Sequence, residues 1–152
     1  MKGVVIMSPK NVEIGDHVFI NKNSIISAPC GAVKIGSFCM ISTNCNILTT
    51  HQGYKEYDKP MFIQDIFGGP IIIEDDVWIG ANTVIMPNVK MGRGAIIGSN
   101  AVVVSDVDPY SIVGGIPAKF IKFRFDNATI ELAKKINFGD YRFSRKKRRC
   151  SG

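Results

Sequence analysis

Residues 73–103 read IEDDVWIGANTVIMPNVKMGRGAIIGSNAVV, and an apolar residue recurs at every sixth position of this stretch. Four positions after each of these comes a small or β-branched residue, as at Val77, Thr83 and Ala95. Neither the helical period nor plain strand alternation produces this spacing. Six residues fit one short strand and a bend, so three units make one triangular coil, and successive coils stack at about 4.8 Å. The stretch therefore predicts a solenoid of parallel strands with the recurrent apolar side chains inside.

The same spacing occurs earlier in the chain, at Ile14, Ile20, Ile26, Ile35, Ile41 and Ile47. In these units the small position holds Cys30, Cys39 and Cys45, which we expect in the core as small hydrophobic residues. Their spacing gives no CxxC pair, so it supports no zinc site. His51 is next in this series, directly before the pattern stops. An ionisable residue where the repeat requires a small one indicates chemistry.

The breaks in the repeat define the predicted organisation. Residues 1–125 form one all-β domain, a parallel β-helix, from which residues 52–70 extrude as an irregular loop. A long loop inside a compact fold is usually functional. Residues 126–152 form a short C-terminal helix and a basic tail. Asp126 or Asn127 caps this helix, which we expect to run to about Ile136 with Ile130 and Leu132 among its apolar contacts.

The net charge of +6 is concentrated at the C-terminus. The basic residues of this tail are Arg142, Arg145, Lys146, Lys147, Arg148 and Arg149. Such a cluster is suited to peripheral contact with an anionic membrane. Aromatic residues are too sparse around it to indicate a nucleic-acid module.

No stretch approaches the roughly 20 apolar residues of a membrane span and the start lacks a secretory signal, so we expect a cytoplasmic protein.

Three features together resemble the hexapeptide-repeat acetyltransferases: the six-residue units, the segment 76–81 (DVWIGA) and the segment 109–119 (PYSIVGGIPAK). The resemblance is closest to the sugar O-acetyltransferases of the maltose, galactoside and surface-polysaccharide type. It implies that the β-helix is left-handed, that the protein is a homotrimer with active sites between subunits, and that acetyl-CoA is the cosubstrate. No metal is implied.

The resemblance also implies roles for individual residues. His51, in Thr49-Thr50-His51, matches the segment that carries the catalytic base, and an imidazole can accept a hydroxyl proton at neutral pH. Asn23 matches an asparagine that assists the reaction centre, where an amide N–H can stabilise an oxyanion. The competing interpretation of Asn23 is a corner residue chosen for its backbone conformation. No acidic partner of His51 is evident in the sequence.

For coenzyme A, the matching positions are Trp78 beside the pantetheine arm, backbone groups at Ala81 and Ser99, and Lys119 and Lys122 near the phosphates. Trp78 has subunit packing as its alternative role, and the two lysines have a solvated edge. Where the family often has Thr-Lys before an aspartate, this chain has Val104-Ser105-Asp106.

The expected activity is acetyl transfer to a hydroxyl of a sugar or glycan, in surface-polysaccharide (O-antigen or capsule) modification. A streptogramin-type xenobiotic acetyltransferase and a sugar N-acetyltransferase are the alternatives within the enzyme class. A non-enzymatic scaffold is the alternative outside it. The same coil carries γ-class carbonic anhydrases, but their zinc needs three histidines drawn from neighbouring subunits, and this chain has only His17 and His51, at unsuitable positions.

Overall fold

Short parallel strands separated by sharp bends follow the six-residue repeat and build a left-handed β-helix, as predicted. The computed structural model describes residues 3–141. In chain order the strands are β1 (Val5–Met7), β2 (Val12–Ile14), β3 (Phe19–Ile20), β4 (Ile25–Ser27), β5 (Val33–Ile35), β6 (Met40–Ile41), β7 (Asn46–Leu48), β8 (Thr50–Gln52), β9 (Ile66–Gly68), β10 (Ile71–Ile73), β11 (Trp78–Ile79), β12 (Val84–Ile85), β13 (Val89–Met91), β14 (Ile96–Ile97), β15 (Val102–Val103), β16 (Ser111–Gly114) and β17 (Lys119–Phe123). Helix α1 spans Asn127–Ala133, and single 3-10 turns span Pro9–Asn11, Met61–Ile63 and Phe138–Asp140.

Three parallel sheets form the faces of a triangular prism. Face A stacks β1, β4, β7, β12 and β15; face B stacks β2, β5, β10 and β13; face C stacks β3, β6, β11, β14 and β16. The chain visits faces B, C and A in turn, so each coil crosses three edges, which we name BC, CA and AB after the faces they join. These edges decide which side chains can meet.

Left-handed backbone at the edges turns the chain from one face to the next. On the CA edge the residues with positive φ are Asn23, Asn44, Asn82 and Asn100. Asparagine is among the few side chains that tolerate this conformation. The Asn44 amide donates to Asn82 at 3.0 Å, and the Asn82 amide donates to Asn100 at 3.1 Å. This edge is therefore a ladder of asparagines in register.

The core consists of the recurrent apolar residues of the repeat, and Ile20, Ile26, Ile41, Ile47 and their later counterparts are almost fully buried. Ile14 is an exception, with 41% of its surface exposed. It lies on β2, the terminal strand of face B, where no further coil covers it. The sequence pattern correctly places Ile14 in the repeat but does not reveal that the repeat begins there.

Cys30 corrects another expectation, because it is exposed whereas Cys39 and Cys45 are buried. Ala28 and, one coil later, Thr49 fill the interior just after face A, each with 0% exposure. The chain leaves the regular spacing at this point, so the residue two positions further on turns outward. Cys30 and His51 both occupy this outward position.

The C-terminal part departs from the predicted coils. After β16 the chain reverses, and β17 pairs with β16 in antiparallel orientation, which the repeat did not predict. Arg124 then joins this strand to the BC edge by an ion pair with Asp76 at 2.9 Å. Beyond it, Asp126 caps α1 by accepting a hydrogen bond from the Thr129 N–H.

Helix α1 ends at Ala133, three residues before the predicted end. Of its predicted apolar contacts, Ile130 is buried but Leu132 and Ile136 are exposed. Within residues 3–141, no helix has the length and apolar character needed to cross a bilayer. The basic residues 142–149 of the predicted tail lie outside the described part of the chain.

Candidate active site

The predicted loop is anchored on the AB edge by a two-stranded antiparallel hairpin, β8–β9, which the sequence pattern did not reveal. His51 lies in the middle of β8, opposite Phe67 of β9. The two rings stack with centroids 5.9 Å apart and an interplanar angle of 24°. The hairpin thus fixes the plane of the imidazole and leaves the side chain exposed.

A backbone carbonyl orients the imidazole of His51. Its Nδ1 lies 3.2 Å from the carbonyl oxygen of Gln52. Because a carbonyl oxygen can only accept a hydrogen bond, this contact requires a proton on Nδ1 and leaves Nε2 unprotonated in the neutral ring. The carboxylate partner that the sequence did not reveal is therefore unnecessary for selecting this tautomer.

Two glutamines hold the loop in place. The buried side chain of Gln64 donates to the carbonyls of Glu56 and Lys59, at 2.9 and 3.1 Å, and accepts from the Glu56 N–H. Gln52, which follows His51, donates to the carbonyls of Met61 and Gln64. The loop is thus a structured element rather than the irregular segment predicted.

A cavity of about 350 Å³ opens beside the imidazole. Its lining residues are His51, Gly53, Tyr54, Lys55, Phe67, Gly68 and Asn88. Glycine is required at residue 68, because a Cβ there would clash with the backbone carbonyl oxygen of Thr49. A Cβ at residue 69 would clash with the side-chain amide of Asn88. These close approaches bring the hairpin, and with it His51, against the corner that carries Asn88.

The other predicted site residues lie around the CA edge. Asn23 is an exposed corner residue with φ of 61°, in register with the asparagine ladder, and it does not line the His51 cavity. Ala81 and Ser99 occupy successive coils on this edge, where the Asn100 N–H donates to the Ala81 carbonyl. Trp78, on the adjoining face C, is 47% exposed and its indole N–H approaches the Ser42 hydroxyl at 3.4 Å.

The two predicted phosphate contacts lie at the C-terminal end of face C. Lys119 pairs with Gly114 and Lys122 with Ile112 in the β16–β17 pair, and both side chains are exposed. Lys119 also lines a cavity of about 170 Å³ with Ser105 and Asp106, the segment in which the chain departs from the family pattern. The structure therefore groups Trp78, Ala81 and Ser99, with Lys119 beyond them, and places His51 on a different edge.

The two buried cysteines, Cys39 and Cys45, contribute no nucleophile to this arrangement. Burial raises the pKa of the Cys39 thiol to about 11 and also raises the pKa of Cys45. Their Sγ atoms contact the carbonyl oxygens of Glu74 and Gly80, at 3.1 and 3.2 Å. Over the described residues, no group of three or more His, Cys, Asp or Glu side chains is arranged to hold a metal ion.

Sequence reasoning missed Phe67, Lys55 and Asn88 as neighbours of His51. Asn88 is the most distant in sequence, and only its place on the AB edge, one coil after the hairpin, brings it close. The asparagine after Pro87 predicts a corner, which is correct, but the sequence pattern does not say that the loop folds against that corner.

Comparisons with known proteins agree with this fold. Residues 70–105 match the family model for the bacterial transferase hexapeptide (six repeats). The chain is 39% identical over 133 residues to a probable macrolide acetyltransferase of Lysinibacillus sphaericus, covering 82% of this chain and 73% of the relative. It is 39% identical over 124 residues to a chloramphenicol acetyltransferase of Escherichia coli, covering 70% of this chain and 59% of that relative.

Among solved structures, a galactoside acetyltransferase in complex with coenzyme A superposes with a TM-score of 0.75 and 27% identity, covering 93% of this chain and 66% of that chain. The present chain spans about 59% of the length of the chloramphenicol acetyltransferases it matches. The repeat, the left-handed coil and the extent of the match to the macrolide acetyltransferase lead to one conclusion: this chain belongs to the hexapeptide-repeat acetyltransferase family.

Proposed function

We propose that the protein transfers an acetyl group from acetyl-CoA to a hydroxyl group of a sugar or glycan acceptor, with His51 as the general base. One observation carries the proposal: an exposed imidazole whose Nδ1 is held by the Gln52 carbonyl and whose Nε2 is free, beside a cavity large enough for a small acceptor. The galactoside acetyltransferase among the structural neighbours supports the choice of a sugar.

The proposed reaction is a direct attack. His51 Nε2 accepts the proton of the acceptor hydroxyl. The hydroxyl oxygen attacks the thioester carbonyl at the same time and forms a tetrahedral oxyanion. The C–S bond then breaks, and the proton passes from the imidazolium to the departing thiolate of coenzyme A. A positioned base of this kind contributes about 10²- to 10⁴-fold in rate. Asn23 and nearby backbone amides are proposed to stabilise the oxyanion.

The separation of the two predicted site groups supports a homotrimer with shared sites. His51 lies on the AB edge, whereas Asn23, Ala81 and Ser99 lie on the CA edge of the same chain. If all of them serve one reaction, the AB edge of one copy must face the CA edge of another. We propose that acetyl-CoA occupies the groove between them, along Trp78, Ala81 and Ser99, with its phosphates toward Lys119 and Lys122.

A xenobiotic hydroxyl acceptor is the second candidate. Two relatives support it: a probable macrolide acetyltransferase and a chloramphenicol acetyltransferase, each 39% identical to this chain. Both are acetyltransferases, so this candidate differs from the first only in the acceptor. A sugar N-acetyltransferase would use the same base on an amine.

Thiol release from acetyl-CoA tests the proposal. The acceptor panel comprises sugars, acidic and neutral glycans, amino sugars, chloramphenicol, a macrolide and a streptogramin. We expect acceptor-dependent release with wild type and a loss of about 10²- to 10⁴-fold in His51→Ala, with an unchanged circular dichroism spectrum. His17→Asn is the matched control, because His17 is the chain's other histidine and lies on the BC edge. Release at the wild-type rate in folded His51→Ala would refute the assignment of the base.

We also propose a cytoplasmic setting, in surface-polysaccharide modification, with the basic tail contacting anionic lipid. Sedimentation with phosphatidylglycerol vesicles, before and after removal of residues 145–152, tests the tail. Equal binding by both forms would eliminate this role.

A further inference from the structure

Lys55 lines the cavity beside His51 and has no ion-pair partner among residues 3–141. Among the residues that line the cavity, Lys55 is the one with a formal charge when His51 is neutral. Its neighbour Glu56 is already paired with Lys59 at 2.6 Å, and no described carboxylate lies within ion-pair distance of Lys55. An unpaired cation in a concave site favours an anionic ligand.

Asn88, which also lines the cavity, supplies a side-chain amide. Its backbone adopts φ of 63°, and the absence of a side chain at Gly69 leaves room for its amide. The asparagines of the CA ladder bond to one another, whereas the Asn88 amide makes no hydrogen bond to any described residue. It is thus available both to donate to a ligand and to accept from it.

Aromatic surface completes the site. Tyr54 and Phe67 line the cavity with 64% and 53% of their surfaces exposed. Exposed aromatic faces of this kind suit the apolar face of a ring that carries polar groups at its rim. The cavity therefore combines a flat apolar surface, one amide and one cation.

We propose that the acceptor is an acidic sugar or glycan, with a carboxylate or phosphate bound by Lys55 and a ring hydroxyl or carbonyl bound by Asn88. This inference rests on the proposed function, since that function makes the occupant of the cavity an acceptor. The phosphates of coenzyme A are the competing anion for Lys55, and the test separates the two.

The two histidines of the chain provide the readout. The imidazole Cε1–H resonance of His51 reports on the cavity, and that of His17 serves as an internal control, because His17 stacks on Phe38 at 5.0 Å on the BC edge. The full chain, saturated with coenzyme A, is titrated with glucuronate, galacturonate, glucose 1-phosphate, glucose and galactose.

We expect at least one acidic sugar to shift the His51 resonance with a Kd at least about tenfold below that of its neutral counterpart. Preference for the uronates identifies a carboxylate, and preference for glucose 1-phosphate identifies a phosphate. Lys55→Gln should remove the difference, while Lys10→Gln, an exposed lysine of the same edge, should preserve it. Equal binding of acidic and neutral sugars, or no shift of His51 with any acidic sugar, would overturn the proposal. So would weaker coenzyme A binding by Lys55→Gln with sugar binding unchanged.

Asn88→Gly tests the amide separately. Glycine accepts the left-handed backbone at this position without strain, so the unfolding midpoint should be retained while the acidic sugar binds several-fold more weakly. Ser8→Gly is the matched control, since Ser8 has φ of 57° where the chain passes from face A to face B. Full binding by Asn88→Gly would remove Asn88 from the site. Binding of an acidic sugar at His51 without thiol release would instead refute acetyl transfer to that sugar, while the anion site at Lys55 would stand.

Discussion

Thr49 fills the interior position next to the end of face A, and this single placement turns His51 outward. The Thr49 hydroxyl donates to the Ser27 carbonyl at 3.2 Å, so its buried oxygen is satisfied. His51 then needs no space in the core. The six-residue spacing correctly identified His51 as unusual. The structure shows that the coil does not take His51 into its interior, because Thr49 occupies the interior position.

Cysteine reactivity should follow the same distinction between inward and outward positions. The thiolate is the reactive form, and burial raises the pKa of Cys39 to about 11 and that of Cys45 in the same direction. At pH 8 both thiols therefore stay protonated as well as inaccessible. We expect N-ethylmaleimide to leave them unmodified in the folded protein and to modify them after denaturation in guanidinium, as measured by peptide mass spectrometry.

Cys30 is the matched control for this prediction, because it has the same side chain at an exposed corner. Performing the reaction on Cys150→Ser removes the thiol of the tail. Modification of Cys39 or Cys45 in folded protein at the rate of Cys30 would show that the coils open around them.

At the scale of elements, the loop hairpin decides the geometry of the site, and Gln64 decides the shape of the loop. Its buried amide satisfies two carbonyls and one N–H of residues 56–59. Leaving such groups unpaired costs about 1–3 kcal/mol each when they stay buried. Because these residues lie in an extruded loop, that cost should appear as local opening rather than as global unfolding.

We therefore expect Gln64→Leu to increase the rate of proteolytic cleavage within residues 53–65 and to lower kcat/KM about tenfold or more, since His51 and its cavity depend on the hairpin. The main thermal transition should move little. The measurements are limited proteolysis with mass spectrometry and the thiol-release assay. An uncut loop with full activity in Gln64→Leu would show that Gln64 does not shape the site.

Most of the elements could be predicted from the repeat, because each coil places a buried apolar residue at the same position, as at Ile20, Ile41 and Ile79. The hairpin β8–β9 and the reversed strand β17 follow no such repeat. The pairing of the hairpin depends on contacts such as that of Thr49 with Gly68, which are set by the packing of the loop on the AB edge. For the same reason His51 was identified from the sequence, but its neighbours Lys55 and Asn88 were not.

At the scale of the whole molecule, the triangular cross-section keeps the AB and CA edges apart. Asn23 therefore has two interpretations that a single chain does not separate: a corner residue of the ladder, or a catalytic amide that works on an acceptor held by another copy. Its positive φ supports the first interpretation, and its exposure is compatible with the second.

Mixed oligomers distinguish these interpretations. We expect His51→Ala and Asn23→Gly each to be inactive alone, since glycine keeps the corner but lacks the amide. Co-refolded in equal amounts, they should regain about one quarter of the wild-type activity, because a quarter of the interfaces in a random cyclic assembly combine two intact halves.

Full activity of Asn23→Gly alone would assign Asn23 to the corner. Two inactive variants whose mixture stays inactive, although mass spectrometry detects mixed assemblies, would place the whole site within one chain. A double variant, His51→Ala with Asn23→Gly, mixed with wild type controls for subunit exchange without complementation.

The loop enters and leaves the solenoid without changing the pairing of the coils on either side. Val33 faces Ile71 and Ile35 faces Ile73 across β5 and β10, in the register that uninterrupted coils would have. A different loop can consequently be inserted between residues 49 and 70 without changing the register of the coils on either side. Under the proposed function, acceptor recognition could therefore diverge among relatives at little cost in stability, and a loop exchanged between two of them would carry its specificity with it.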